Sequence, residues 1–320
     1  SGDHTEAIQT LLNFDPSLAK EKDKRGNTAL HLAASGNHTE AIQKLLEIEN
    51  SLAKEKDNLG RTALHKAAEN GHTEAIQKLL EIENSLAKEK DRFVGETALH
   101  KAAENGHTEA IQTLLTIAPY LAKEKDPFVG ETALHIASLK GHTEAIQKLL
   151  EIENSLAKEK NRFGETTLHK AAENGHTEAI QTLLTIAPYL AKEKDNNGRT
   201  ALHTAALSGH TEAIQKLLEI DRSLAKEKDR SGETALHDAA LKGHTEAIQT
   251  LLDFAPSLAK EKNNIGRTAL HTAALSGHTE AIQTLLTIAP SLAKEKDING
   301  RTALQIASFK GHTEAIQALL

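Results

Sequence analysis

Between His72 and Ile82 the apolar residues Ala75, Ile76, Leu79, Leu80 and Ile82 recur at the three- and four-residue spacing of one helix face. The stretch predicts an amphipathic helix, with Thr73 as its cap and Glu74 in its first turn. Upstream, Gly60-Arg-Thr-Ala-Leu-His65-Lys-Ala-Ala-Glu-Asn-Gly71 offers Thr62 as a cap, a compact Ala/Leu run, and Gly71 at a left-handed stop. That predicts a shorter first helix. Downstream, Ser85-Leu-Ala-Lys-Glu-Lys-Asp91 is too polar and short for a third, and with the turn at Gly95 it is expected to form an extended, hairpin-like finger.

The whole pattern repeats. His-Thr-Glu-Ala-Ile-Gln starts at His4, His38, His72, His107, His142, His176, His210, His244, His278 and His312, a period of 34 or 35 residues. A unit of this length cannot bury its apolar face alone and must stack on its neighbours, so the expected architecture is an all-α repeat solenoid. The expected domain organisation is a single array over residues 1–320, with a half repeat at 1–23 and nine helix pairs from 24 to 320.

Helix, turn, helix and finger, with Thr-Ala-Leu-His recurring at Thr28, Thr62, Thr97, Thr132, Thr200, Thr234 and Thr268, resembles the ankyrin repeat. The resemblance covers the whole chain. Two copies depart, Thr166-Thr-Leu-His169 and Thr302-Ala-Leu-Gln305, and Ala or Thr stands where that family favours Pro. The tetratricopeptide repeat has a similar period but is built on aromatic landmarks, Trp among them, and this chain has no Trp. The resemblance implies helix-turn-helix units joined by β-hairpin-like fingers, with fingers and first helices lining a concave face where protein partners dock.

Composition narrows the chemistry. Lys and Arg number 38 against 45 Asp and Glu, a net charge of −7, which gives no electrostatic footprint for nucleic acid or an anionic membrane. No apolar run is long enough to span a bilayer or to serve as a signal peptide, so membrane insertion is not expected. With no cysteine there are no disulfides, thiolate metal sites or Cys nucleophiles, and the expected setting is intracellular. The lack of any methionine leads to the expectation that these 320 residues are an excised or processed piece.

Eighteen histidines invite a metal or general-base reading. Ten head the His-Thr-Glu run and eight close the Thr-x-Leu-His motif, so each is a repeat position, and none forms His-Glu-x-x-His. As the resemblance implies, they tie Thr, helix and neighbouring finger together, and the Thr-x-Leu-His set is expected to be buried and neutral. All 19 glycines fall at finger turns or next to the Gly-His step. Phosphate-binding loops and nucleophile elbows are absent, so no enzyme activity and no cofactor are expected. The sequon at Asn37-His38-Thr39 overlaps a helix start and receives no functional weight.

Copies differ at the finger tips and after the motif histidine. Three consecutive tips carry Phe93, Phe128 and Phe163, with Val94, Val129 and Ile136 nearby and Arg92, Arg162, Lys66, Lys101 and Lys170 around them. The two 35-residue periods arise from an extra residue in the fingers ending at Gly95 and Gly130. An apolar centre with a basic rim is a common hot-spot design, and it would suit an acidic protein partner with apolar anchors. The competing reading packs each Phe sideways onto the next finger. The Lys-Glu-Lys-Asp run is expected to be a solvated strand, and Tyr120 and Tyr189 local packing.

The block Lys101–Asp126 recurs unchanged as Lys170–Asp195, which points to duplication of a natural array, with an engineered scaffold as the alternative origin. Two functions are compatible with this surface: an interaction scaffold or adaptor, and a structural spacer or spring.

Overall fold

A computed structural model describes residues 2–320. The chain divides into two compact units, Ser1–Arg162 and Phe163–Leu320. After the helix Gly2–Phe14, the first unit holds four helix pairs: Ala29–Ser35 with Thr39–Ile48, Ala63–Glu69 with Thr73–Ile82, Ala98–Glu104 with Thr108–Ile117, and Ala133–Lys140 with Thr143–Ile152. The second unit holds five, from Thr167–Glu173 with Thr177–Ile186 to Ala303–Lys310 with Thr313–Leu319. Within each unit first helices pack on first helices and second on second, giving two layers. The ankyrin-type helix pairs expected from the period are present, and no strand occurs among the described residues.

The core lies between the layers. Ala63, Leu64, Ala67 and Ala68 of one helix and Ala75, Ile76, Leu79 and Leu80 of its partner are buried, as are their equivalents in neighbouring repeats. Small Ala side chains let adjacent first helices approach closely, while Leu and Ile fill the space between layers.

Each first helix starts at a threonine locked by the motif histidine. The Thr62 N–H donates to His65 Nδ1 at 3.2 Å and its hydroxyl lies 3.0 Å from the same nitrogen. Nδ1 is therefore the acceptor, and Nε2 carries the proton that is donated to the Glu96 carbonyl of the next repeat at 3.1 Å. One imidazole closes a capping box and bolts two repeats together.

The second helix starts differently from the expectation. His72, not Thr73, occupies the cap, and its side chain caps nothing locally. Its Nε2 instead donates backwards to the Ser35 carbonyl at 2.9 Å, at the end of the preceding first helix. His107 does the same to Glu69 and His142 to Glu104. The two histidine families thus point in opposite directions along each unit. Gly71 is required twice over: its φ is +74°, and a methyl group there would lie 2.7 Å from the His107 ring.

The joining segment also differs from the extended finger expected of it. Asn84–Lys88 forms a single 3-10 turn that buries Leu86 and Ala87. Glu83 accepts from the Ser85 N–H at 3.2 Å and stops the turn's N-terminus from being orphaned. The alternative Ala-Pro copies use Pro119 or Pro188 at the first position. The finger itself is a tight turn, closed by Asp57 N–H to the Arg61 carbonyl and by Asp57 Oδ1 accepting from Leu59 and Arg61.

Candidate partner-binding surface

Phe93 and Phe128 stand on neighbouring finger tips of the first unit, 61% and 60% exposed, with Val94 exposed and Val129 half-buried. Sideways packing does not hide either ring. The two tips pack closely, Gly95 against the Pro127 ring, since a methyl on Gly95 would lie 2.3 Å from that ring. The Arg92 guanidinium lies over the Phe93 ring at 6.0 Å, and Arg162 donates through Nη1 to the Phe128 carbonyl at 2.9 Å. Phe163 opens the second unit and is 57% exposed on its own tip.

Pro127 makes this pair of tips unlike the others. At every other finger joint within a unit, a tip N–H donates to the previous finger's carbonyl: Asn58 to Arg25, Arg92 to Leu59, Arg162 to Val129, Asn196 to Phe163, Arg230 to Asn197, Asn264 to Ser231 and Ile298 to Ile265. Proline has no N–H to give. No backbone N–H among the described residues reaches the Val94 carbonyl, so an acceptor is left open between Phe93 and Phe128.

Four of the residues expected on this surface lie elsewhere. Ile136 is only 5% exposed and belongs to the core. Lys66 pairs with the buried Asp57 at 3.0 Å, Lys170 with Glu165 at 2.6 Å and Glu173 at 3.1 Å, and Lys101 with Glu96 and, at 3.2 Å, Glu104. Burial pulls the Lys101 ammonium down, but the Glu96 and Glu104 carboxylates outweigh that and hold it above the usual lysine range. These lysines are neutralised internally and supply no basic rim. Arg92 lies on the tip itself, beside Phe93.

The Lys-Glu-Lys run also departs from a solvated strand. Lys22, Lys90 and Lys125 in the first unit, and Lys194, Lys228 and Lys262 in the second, each donate to a backbone carbonyl of the next finger. The same ammoniums pair with that finger's Glu, as Lys125 does with Glu159 at 2.8 Å. Sequence reading missed this ladder because its partners lie a full repeat apart. Tyr120 is not packed locally: it is exposed, and its ring lies under the Lys88 ammonium of the preceding repeat, 5.0 Å from the ring centre.

The motif histidines are buried and chemically quiet. Burial pushes His65, His100 and His203 down to about 4 against the pull of the carbonyl each one bonds. Among the described residues no three His, Asp or Glu are grouped to hold a metal. No described helix is long and apolar enough to cross a membrane. Asn37 of the sequon adopts φ 58° and is spent on structure, donating to Glu74 at 2.9 Å and accepting from the Ala75 N–H at 3.1 Å.

No curated protein matches the chain by sequence. The family model for ankyrin repeats, three copies long, matches residues 1–91, 82–159, 116–189, 152–227, 186–260, 221–294 and 256–320. With the histidine-locked caps, paired helices and turn fingers described above, this shows that the chain belongs to the ankyrin repeat family.

Proposed function

We propose that the chain is a protein-binding scaffold whose first unit recognises its partner at the finger tips bearing Phe93, Val94 and Phe128. Ankyrin repeats are in general protein-interaction modules. The observation that carries the finer reading is the pair of aromatic rings held out in solvent on adjacent tips, 61% and 60% exposed. Arg92 beside Phe93 favours an acidic segment, and the Val94 carbonyl favours one that brings a hydrogen-bond donor between its apolar anchors. The Phe163 tip is a separate, secondary contact in this reading.

The test uses the full chain and the Phe93→Ser/Phe128→Ser variant. A partner captured by the first should lose at least about tenfold in affinity for the second, with unchanged circular dichroism, and should protect the amides of 91–95 and 126–130 in the complex. Equal affinity and no protection there would overturn the reading. A spacer role, favoured by the lysine ladder, would then be the better one.

A further inference from the structure

The position after the motif histidine faces the finger of its own repeat. Where it is lysine, it meets finger carboxylates: Lys66 with Asp57, Lys101 with Glu96, Lys170 with Glu165. Residue 238 inverts this arrangement. Asp238 is 0% exposed and faces Asp229 and Glu233 of its own finger, so like charge meets like.

From the preceding repeat come Asp195 and Arg199 of the finger and Thr204 of the first helix, whose hydroxyl turns to the Thr200 carbonyl. Arg199 opposes the carboxylates: its Nη2 reaches Asp238 Oδ1 at 3.4 Å, and its Nε lies 3.9 Å from Asp229 Oδ2. Asp238 Oδ2 and Arg199 Nε are both buried without a hydrogen-bond partner. From the following repeat, Asn263 donates to Glu233 at 3.1 Å, Arg267 turns away towards Asp297, and Thr272 bonds its own helix. The helix Thr245–Phe254 turns only Ala247, Ile248, Leu251 and Leu252 inward. His203 and His237 are committed to backbone carbonyls.

We propose that Asp238 is a proton-operated joint in the second unit: protonated, it packs quietly beneath the 229–233 finger; ionised, it repels Glu233 and Asp229 and loosens that finger from the first-helix layer. A carboxyl that is fully enclosed, half-bonded and surrounded by three carboxylates against one guanidinium favours the neutral form. Consistent with this, burial above all, opposed by Arg199 and reinforced by Glu233, Asp229 and Asp195, lifts Asp238 to about 7. The joint then switches in the neutral range. It is independent of the finger-tip reading, which concerns the other unit.

The experiment is amide hydrogen exchange on the 320-residue chain at pH 5, 6, 7 and 8, corrected for intrinsic rates, beside Asp238→Asn. The quantity read is the protection of segment 229–240 in the variant divided by that in the parent, in which the contribution of the nearby histidines cancels. The ratio should grow about tenfold per pH unit from pH 5 towards 7 and level off above it. The segment around Glu165 and Lys170 should show a ratio that does not change with pH. A ratio that is constant with pH at 229–240 would overturn the proposal. Should Asp238→Asn fail to fold, Asp238→Thr, the residue natural at 204 and 272, serves as the second variant under the same criterion.

Discussion

The Nε2–H of His65 donates to the carbonyl of Glu96, thirty-one residues ahead, while Nδ1 of the same ring receives the N–H of Thr62. Protonation would turn Nδ1 from acceptor to donor against the Thr62 N–H, so the lock works only with a neutral imidazole. His65, His100 and His203 lie near 4 folded against 6.5 unfolded. Their contribution is full above pH 6.5 and is lost as pH falls through 4, up to about 3 kcal/mol each. Urea unfolding should therefore give a lower midpoint at pH 5 than at pH 7, measured in the Asp238→Asn background to remove that residue's opposite sign. An unchanged midpoint would contradict the assignment.

His65→Gln separates the two jobs of the ring. At residue 305 the chain already uses glutamine, and Gln305 Oε1 accepts from the Thr302 N–H at 2.9 Å, so an amide can keep the local box. The shorter side chain cannot hold the bond to the Glu96 carbonyl. We expect a loss of about 1–2 kcal/mol, with faster amide exchange in the finger around Glu96 and little change in the helix Ala63–Glu69. Fraying of that helix instead would mean the box, not the bolt, was lost.

Gly71→Ala and Gly311→Ala form a matched pair. Both residues have φ of +74°, but a methyl on Gly311 meets nothing within 4 Å, whereas on Gly71 it strikes the His107 ring. Backbone strain alone should cost Gly311→Ala about 1 kcal/mol. Gly71→Ala should cost at least about 1 kcal/mol more, because the ring is fixed by its bond to Glu69. Equal melting shifts would show that the ring yields freely.

Leu99→Ala probes the core between layers. Leu99 is fully buried, and a truncation there leaves a cavity that rigid helix pairs cannot close. The expected cost is about 3 kcal/mol, seen as a lower denaturant midpoint.

Much of this architecture was legible in the sequence. The spacing of Ala75, Ile76, Leu79 and Leu80 gave the buried face, Thr62 and Gly71 marked the ends of the first helix, and the repeated histidines read correctly as structural. What could not be read were relations between repeats. Hydrophobic period says that Lys101 lies near a layer boundary; it does not say that Glu96 waits there, and so the lysine was assigned to a rim. Thr73 misled because His72 takes the cap for a bond one repeat away. The 3-10 turn at Asn84–Lys88 needs only one capping carboxylate, too small a signal for a period-based reading. Two signals were available and unused: proline at 127, where other tips carry an N–H, and the like-charged pair Glu233 and Asp238.

Within each unit the lysine ladder has a direction, from one finger's ammonium to the next finger's carboxylate and carbonyl. A repeat on this ladder thus carries a plug at one side and a socket at the other, both encoded in its own Lys-Glu-Lys. A copy spliced between two repeats finds its plug and socket already matched and orphans no charge. Such a chain can change length by whole repeats without inventing a contact, and the verbatim recurrence of Lys101–Asp126 as Lys170–Asp195 is the trace such growth would leave.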